Sequence, residues 1–273
     1  MNVKKYLNFI KIEHTVFDLP FAYAGMLLAN YFNLKIIILL GIASTAARIS
    51  GMVINRIVDL PLDRENPRTQ KRELVTGEIS PRKAWSIFFI STTIFIISSF
   101  LLNFLAFIFS PILILLFYLY PITKRHKIIS HIFLGFSIGI IVIGGYIGTK
   151  GIFPTNISVW LLTISVSFWI SSFDIIYQNQ DRDFDKYHGI KSIPVLYPNR
   201  VKEFVFLFYL ISLLFLSVFY YLIGLPYLLF IIPIAFLYFY RIKYIDKRDV
   251  DFIFRFDIPI PFIILLSLII KFI

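Results

Sequence analysis

The chain has 273 residues, 58% of them hydrophobic and 16% charged, with a mean hydropathy of +0.80 and a formal net charge of +11. This is far more apolar than a soluble domain, and the absence of cysteine excludes disulfides and thiol chemistry. The basic excess would point a soluble protein to nucleic acid, but these cations sit in compact loops between apolar runs, so no nucleic-acid partner is expected.

Met1 to Lys11 is a short basic lead without a signal-peptide pattern, and Val16 to Tyr31 is long enough to remain as a first span. Taking about 20 apolar residues for each crossing, spans are expected near 13–32, 35–57, 83–102, 104–121, 128–149, 157–178, 202–223, 226–241 and 253–272. The third and fourth runs are parted only by Asn103, so a re-entrant hairpin is an alternative there. A membrane β-barrel would instead alternate apolar and polar residues in strands of about ten. The expected fold is all-α, a polytopic transmembrane helical bundle of about nine spans. One domain over 1–273 would surround a central cavity that opens to the cytoplasmic side. The abundant aromatics, 31 Phe and 16 Tyr, would fill helix interfaces and interfacial belts, or line a tunnel for an apolar chain.

Lys4, Lys5 and Lys11 precede the first span. The loop after the second carries Arg56, Arg64, Arg68, Lys71, Arg72, Arg82 and Lys83, and the loop after the fourth carries Lys124, Arg125 and Lys127. Lys35, Lys150 and Lys271 fall on the alternate side. The positive-inside rule then makes the N-terminus and the even-numbered loops cytoplasmic in a multi-pass protein of the cell membrane, with the termini on opposite sides.

Two acidic stretches follow directly on apolar runs and fall on that cytoplasmic side. In the first, Asn55 and Asp59 are four residues apart and share a helix face with Arg48, after which Pro61 should break the helix and let Asp63 fold back. In the second, Asp174, Asp181 and Asp185 fall on one stripe of a continuous helix, with Tyr177 and Gln178 between them and Asp183 pointing elsewhere. Carboxylates clustered at a membrane need cationic compensation. Hard oxygen ligands without His or Cys suit Mg²⁺, which favours one or two carboxylates plus substrate phosphates, so a metal-bridged phosphate ester is expected. Arg68, Arg72 and Lys124 would neutralise the remaining phosphate oxygens. The plainer alternative is two charged surface loops with internal salt bridges.

The chain resembles the UbiA superfamily of membrane prenyltransferases. The family's first motif is matched by Asn55, Asp59, Asp63, Arg68-Thr69, Arg72 and Gly77. Its second is matched by Tyr177, Asp181, Asp185, Gly189, Lys191 and Ser192, and a Tyr-x-x-x-Lys-Arg stretch by Tyr120, Lys124 and Arg125. Lys11 to Phe21, Asn66-Pro67-Arg68-Thr69 and Phe184 look most like the 4-hydroxybenzoate polyprenyltransferase-like branch, which includes enzymes acting on a dihydroxynaphthoate. Where many 4-hydroxybenzoate enzymes carry Arg-Pro on the first span, this chain has Glu13-His14.

The resemblance implies an enzyme of quinone biosynthesis that transfers a polyprenyl group from its diphosphate to a small aromatic acceptor. Mg²⁺ would be held by Asp59, Asp63, Asp181 and Asp185, and the diphosphate by Asn55, Arg68, Arg72, Tyr120, Lys124 and Lys191. Tyr120 and Tyr177 would face an allylic cation. Asp174 or Asp59 would take the ring proton or polarise the hydroxyl. Arg48 would either clamp an acceptor carboxylate or pair with Asp59 or Asp174, the pairing role being favoured. Prenyl transfer to haem or to a glycerol phosphate remains an alternative, as does, in another class, an ion-coupled transporter. A CDP-alcohol phosphotransferase fits less well, because the Asp-Gly-x-x-Ala-Arg part of its signature is absent.

Overall fold

The computed structural model describes residues 3–124, 129–245 and 250–272, and every regular element among them is helical. In lipid each backbone N–H and C=O must be satisfied within its own segment, so the apolar runs become helices and polar residues mark their ends. Lys11, with φ of 51°, parts α1 (Val3–Ile10) from α2 (Ile12–Leu28). Asn33 caps α3 (Leu34–Glu65) by accepting a 2.8 Å hydrogen bond from the Lys35 amide. Ser80, followed by Pro81 at the first helical position, starts α4 (Pro81–Leu102).

Asn103 alone separates α4 from α5 (Phe104–Lys124). Its side-chain oxygen accepts from the Ala106 amide at 2.9 Å, while its amide donates to the Ile147 and Gly148 carbonyls at 2.8 and 3.0 Å. The third and fourth runs are therefore two full helices of 22 and 21 residues rather than a re-entrant hairpin. At 1.5 Å per residue each is about 32 Å long, enough to cross the hydrocarbon core.

Next come α6 (Ser130–Lys150) and α7 (Ile157–Gln178), then a 3₁₀ turn over Asn179–Asp181, α8 (Arg182–Tyr187) and α9 (Ile193–Leu196). The chain closes with α10 (Val201–Ile223), α11 (Ile231–Lys243), α12 (Val250–Asp257) and α13 (Pro259–Phe272). Seven helical stretches among the described residues are long and apolar enough to cross a membrane. The other two expected runs form α2, of 17 residues, and the α12–α13 pair, of 8 and 14.

Helix α6 is the packing centre, with α2 on one side and α7 on the other, and α7 in turn packs on α10. Contact is close because small residues face it. A Cβ on Gly25 would lie 2.0 Å from the Val142 carbonyl oxygen, and one on Gly145 would lie 2.0 Å from that of Ala22. Without hydrophobic driving force between helices in lipid, such backbone approach supplies the dispersion that holds the pair. On the far side, Arg241 Nε sits 2.9 Å from Asp257 Oδ2, both buried, and Trp169 Nε1 donates to Asp257 Oδ1 at 3.1 Å. This ionic contact ties α11, α12 and α7 together.

Candidate active site

Helices α2 to α7 surround a cavity of about 460 Å³. One part of its wall is apolar, formed by residues such as Phe95, Leu102, Phe109, Leu113, Ile141 and Ile143. The other part is polar and holds both acidic motifs: Asp59, Asp63, Asp174, Asp181 and Asp185 all line it and all are buried.

The first motif lies on one helix. Pro61 does not end α3, which runs on to Glu65. Proline removes one backbone bond and bends a helix, but a single lost bond near the end need not terminate it. Asn55, Asp59 and Asp63 therefore share one stripe by helical spacing, and Asp63 reaches the cavity without folding back. The turn that follows is built by its own side chains. Asn66 Oδ1 accepts from the Arg68 amide at 2.9 Å, and Thr69 Oγ1 donates to the Asp63 carbonyl at 3.1 Å.

That turn delivers two arginines. Arg72 Nη1 donates to both oxygens of Asp63 at 2.8 and 2.6 Å. Arg68 crosses to the second motif, donating from Nε and Nη2 to the two oxygens of Asp181 at 2.7 and 2.5 Å and from Nη1 to Tyr177 Oη at 3.0 Å. Asn66 Nδ2 adds a bond to Asp181 Oδ1 at 3.0 Å. The Arg68 guanidinium also lies over the Tyr177 ring, 5.0 Å from its centroid.

The second motif is not one continuous helix, since α7 stops at Gln178 and the 3₁₀ turn intervenes. Three residues turned at about 120° each instead of 100° rotate the stripe by only about 60°. Asp174, Asp181 and Asp185 accordingly still face the cavity, while the side chain of Asp183 is 76% exposed and lies beside Arg182. A further link joins the motifs at the rim. His188 Nε2 lies 2.8 Å from Glu65 Oε2 and its Nδ1 lies 3.0 Å from the Phe184 carbonyl. Both neighbours only accept, so the ring must donate twice; the Glu65 hydrogen bond foremost, then the carbonyl, raises its pKa.

Other expected site residues fall as follows. Asn55, Tyr120 and Tyr177 line the cavity, and Asn55 Oδ1 is buried without a hydrogen-bond partner among the described residues. Arg48 lines it too, and its Nε lies 3.1 Å from Asp18 Oδ2, so the ion pair it makes is with Asp18, in place of the expected pairing with Asp59 or Asp174. Lys191 is exposed and is not part of the wall: beyond Gly189, at φ of 68°, Ile190 and Ser192 turn inward and Lys191 turns out. Lys124 ends α5, and its side chain lies outside the described residues, as does Arg125.

Sequence spacing missed Asp18 and His131. His131 Nδ1 lies 2.6 Å from Asp174 Oδ2, which also accepts from Gln178 Nε2 at 2.8 Å. A lone ionisable residue in an apolar run must find a partner, and that rule, applied across helices, would have drawn attention to them.

Among the described residues no three of His, Cys, Asp or Glu converge as a ready-made metal cage. The buried donors facing the cavity are carboxylate and amide oxygens, with arginines already on Asp63 and Asp181. That set fits Mg²⁺, which takes one or two carboxylates and completes its octahedron with waters and substrate phosphates.

The family model described as the UbiA prenyltransferase family matches residues 19–263. Among named relatives, the chain is 29% identical over 186 residues to the 4-hydroxybenzoate octaprenyltransferase of Francisella tularensis subsp. mediasiatica (strain FSC147), the match covering 68% of this chain and 65% of that one. The chain thus spans 65% of the length of that relative. It is 30% identical over 210 residues to the protein of that name from Pasteurella multocida (strain Pm70), covering 76% of this chain and 72% of the other. The apo structure of a UbiA homologue from Aeropyrum pernix K1 superposes with a TM-score of 0.86 at 34% identity, covering 96% of this chain and 99% of that one. A UbiA homologue from Archaeoglobus fulgidus bound to GPP and Mg²⁺ has the same fold, with a TM-score of 0.76 at 18% identity over 98% of this chain and 99% of that one.

Proposed function

The chain belongs to the UbiA prenyltransferase family, and from that premise we propose that it transfers a polyprenyl group from polyprenyl diphosphate to an aromatic acceptor of the hydroxybenzoate or dihydroxynaphthoate type in quinone biosynthesis. The observation that carries this reading is the convergence of both acidic motifs on one cavity, bridged by Arg68 and Asn66 on Asp181. Relatives named 4-hydroxybenzoate octaprenyltransferase support the acceptor class. The neighbour bound to GPP and Mg²⁺ supports the donor and the metal.

Asp59, Asp63, Asp181 and Asp185 would be the residues that hold Mg²⁺. When bound, the metal supplies charge neutralisation on the departing diphosphate. Arg68 and Arg72 turn from their carboxylates toward the phosphates, and Asn55 directs its amide there. Lys124, four residues beyond Tyr120 in the sequence, is assigned to the same anion by its charge. The apolar wall takes the isoprenoid, each buried methylene contributing about 0.8 kcal/mol. The C–O bond to diphosphate breaks, its electron pair leaving with the diphosphate, and a bond forms between the prenyl C1 and a ring carbon next to a phenolic hydroxyl. The faces of Tyr120 and Tyr177 stabilise the allylic charge. A carboxylate, Asp174 or Asp59, takes the proton that the ring releases. Arg48, held by Asp18, presents its remaining N–H groups to an acceptor carboxylate. The chain acts as one transmembrane unit of the cell membrane, with the N-terminus and the site on the cytoplasmic side.

The test is turnover of a labelled prenyl diphosphate with Mg²⁺ and a panel of hydroxybenzoate, dihydroxynaphthoate, haem and glycerol-phosphate acceptors. Prenylated aromatic product and free diphosphate are expected, with Asp59→Ala lowering the rate at least about 100-fold. Ion flux without product on any acceptor would refute the reading.

A further inference from the structure

Asp174 is the carboxylate of the cavity wall whose surroundings the two motifs do not explain. It sits on α7, about two turns before Asp181, and its two oxygens are treated differently. Oδ2 accepts from Gln178 Nε2 at 2.8 Å and lies 2.6 Å from His131 Nδ1. Among the described residues Oδ1 has a hydrogen bond from Tyr120 Oη alone, at the long distance of 3.4 Å. Asp174 and Tyr120 line the cavity, whereas His131 and Gln178 stand behind it, both buried.

The other ring nitrogen of His131 settles the tautomer. Nε2 lies 3.2 Å from the amide nitrogen of Ile193, and a backbone N–H can only donate. Nε2 must therefore accept, which leaves the proton on Nδ1, and the ring donates it to Asp174 Oδ2 as a neutral imidazole. Asp174 thus lines the cavity as a buried carboxylate with one oxygen held by two partners and the other bonded only at long range, which leaves that second oxygen able to take a proton. The same arrangement ties it to the first residue of α9, directly after the Lys191-Ser192 end of the second motif.

We propose that His131, aided by Gln178, is a positioning residue for the prenyl-transfer reaction: it fixes Asp174 so that Oδ1 is presented to the acceptor, and it makes Asp174 rather than Asp59 the group that takes the ring proton. Atoms balance simply. The ring C–H bond breaks as aromaticity returns, its proton goes to Asp174 Oδ1, and the carboxylic acid passes it to water at product release. The inference rests on the prenyl-transfer reading.

Two variants separate the two bonds of the imidazole. In His131→Asn the amide nitrogen stands where Nδ1 was and still donates to Asp174. In His131→Gln the side-chain amide reaches the Nε2 position and can serve Ile193, but the ring's donor to Asp174 Oδ2 is lost and Gln178 Nε2 is left to hold that oxygen. The expected result is a fall in kcat of about 10- to 100-fold for His131→Gln with KM for the prenyl diphosphate unchanged, and a change of less than about threefold for His131→Asn. In an Asp174→Asn background the two variants should be indistinguishable. With four histidines in the chain, ¹⁵N-imidazole labelling reads the tautomer directly, and His131 should give the neutral Nδ1–H signature. The proposal is overturned by an Nε2–H or imidazolium signature, by equal losses in both variants accompanied by a lowered Tm, or by losses that multiply with that of Asp174→Asn. A wild-type chain that turns over no acceptor refutes the functional reading itself, which the tautomer measurement does not address.

Discussion

Arg68 is the residue on which the two motifs meet, because its planar fork spans both oxygens of Asp181 while its remaining nitrogen reaches Tyr177. Lysine offers a point charge and cannot reproduce that paired geometry. Arg68→Lys should therefore lower kcat/KM for the prenyl diphosphate at least about tenfold while leaving KM for the acceptor within about twofold, measured by steady-state kinetics with each substrate varied. Asp59, Asp63, Asp181 and Asp185 stood out in the sequence because each pair follows directly on an apolar run, although Asp63 was expected to fold back past Pro61 rather than to continue the helix. The partners of Arg48 and Asp174 did not. Asp18 and His131 lie on other helices, and spacing within a helix says which face a residue occupies but not which helix stands opposite.

At the scale of elements, the apolar runs set the helices because lipid allows the backbone no other solution, and their polar interruptions set the ends. Two details went the other way. Pro61 and the Gln178–Asp181 segment were expected to break and to continue their helices respectively, yet α3 runs through the first and α7 stops within the second. In both cases the cavity face survives, since the bend or tightening rotates the following residues by less than a helix face. The packing of these helices depended on glycines that hydropathy cannot read. Gly145→Val would place new carbon against the Ala22 carbonyl with no room for it to yield. The variant should lose about 1–3 kcal/mol and show a lowered Tm in detergent. The conservative variant Gly144→Ala, where an added Cβ meets nothing, should leave Tm unchanged.

At the scale of the molecule, the four apolar runs expected between the two acidic motifs and the distribution of lysine and arginine put both motifs on one face, and both motifs line the same cavity. The chain has no cysteine of its own, so single cysteines report topology cleanly. In sealed inverted vesicles Asp183→Cys should react with an impermeant maleimide and Lys150→Cys should not, the reverse holding for right-side-out vesicles. Neither motif is expected to bind diphosphate alone. Calorimetric titration of a non-reactive prenyl thiolodiphosphate, with and without Mg²⁺, tests it most directly on wild type, Asp63→Ala, Asp185→Ala and the double variant. The expected result is Mg²⁺-dependent binding that either single substitution weakens at least about 30-fold, with the double variant little worse than either one. Binding that survives the loss of one motif, or losses that simply multiply, would contradict it.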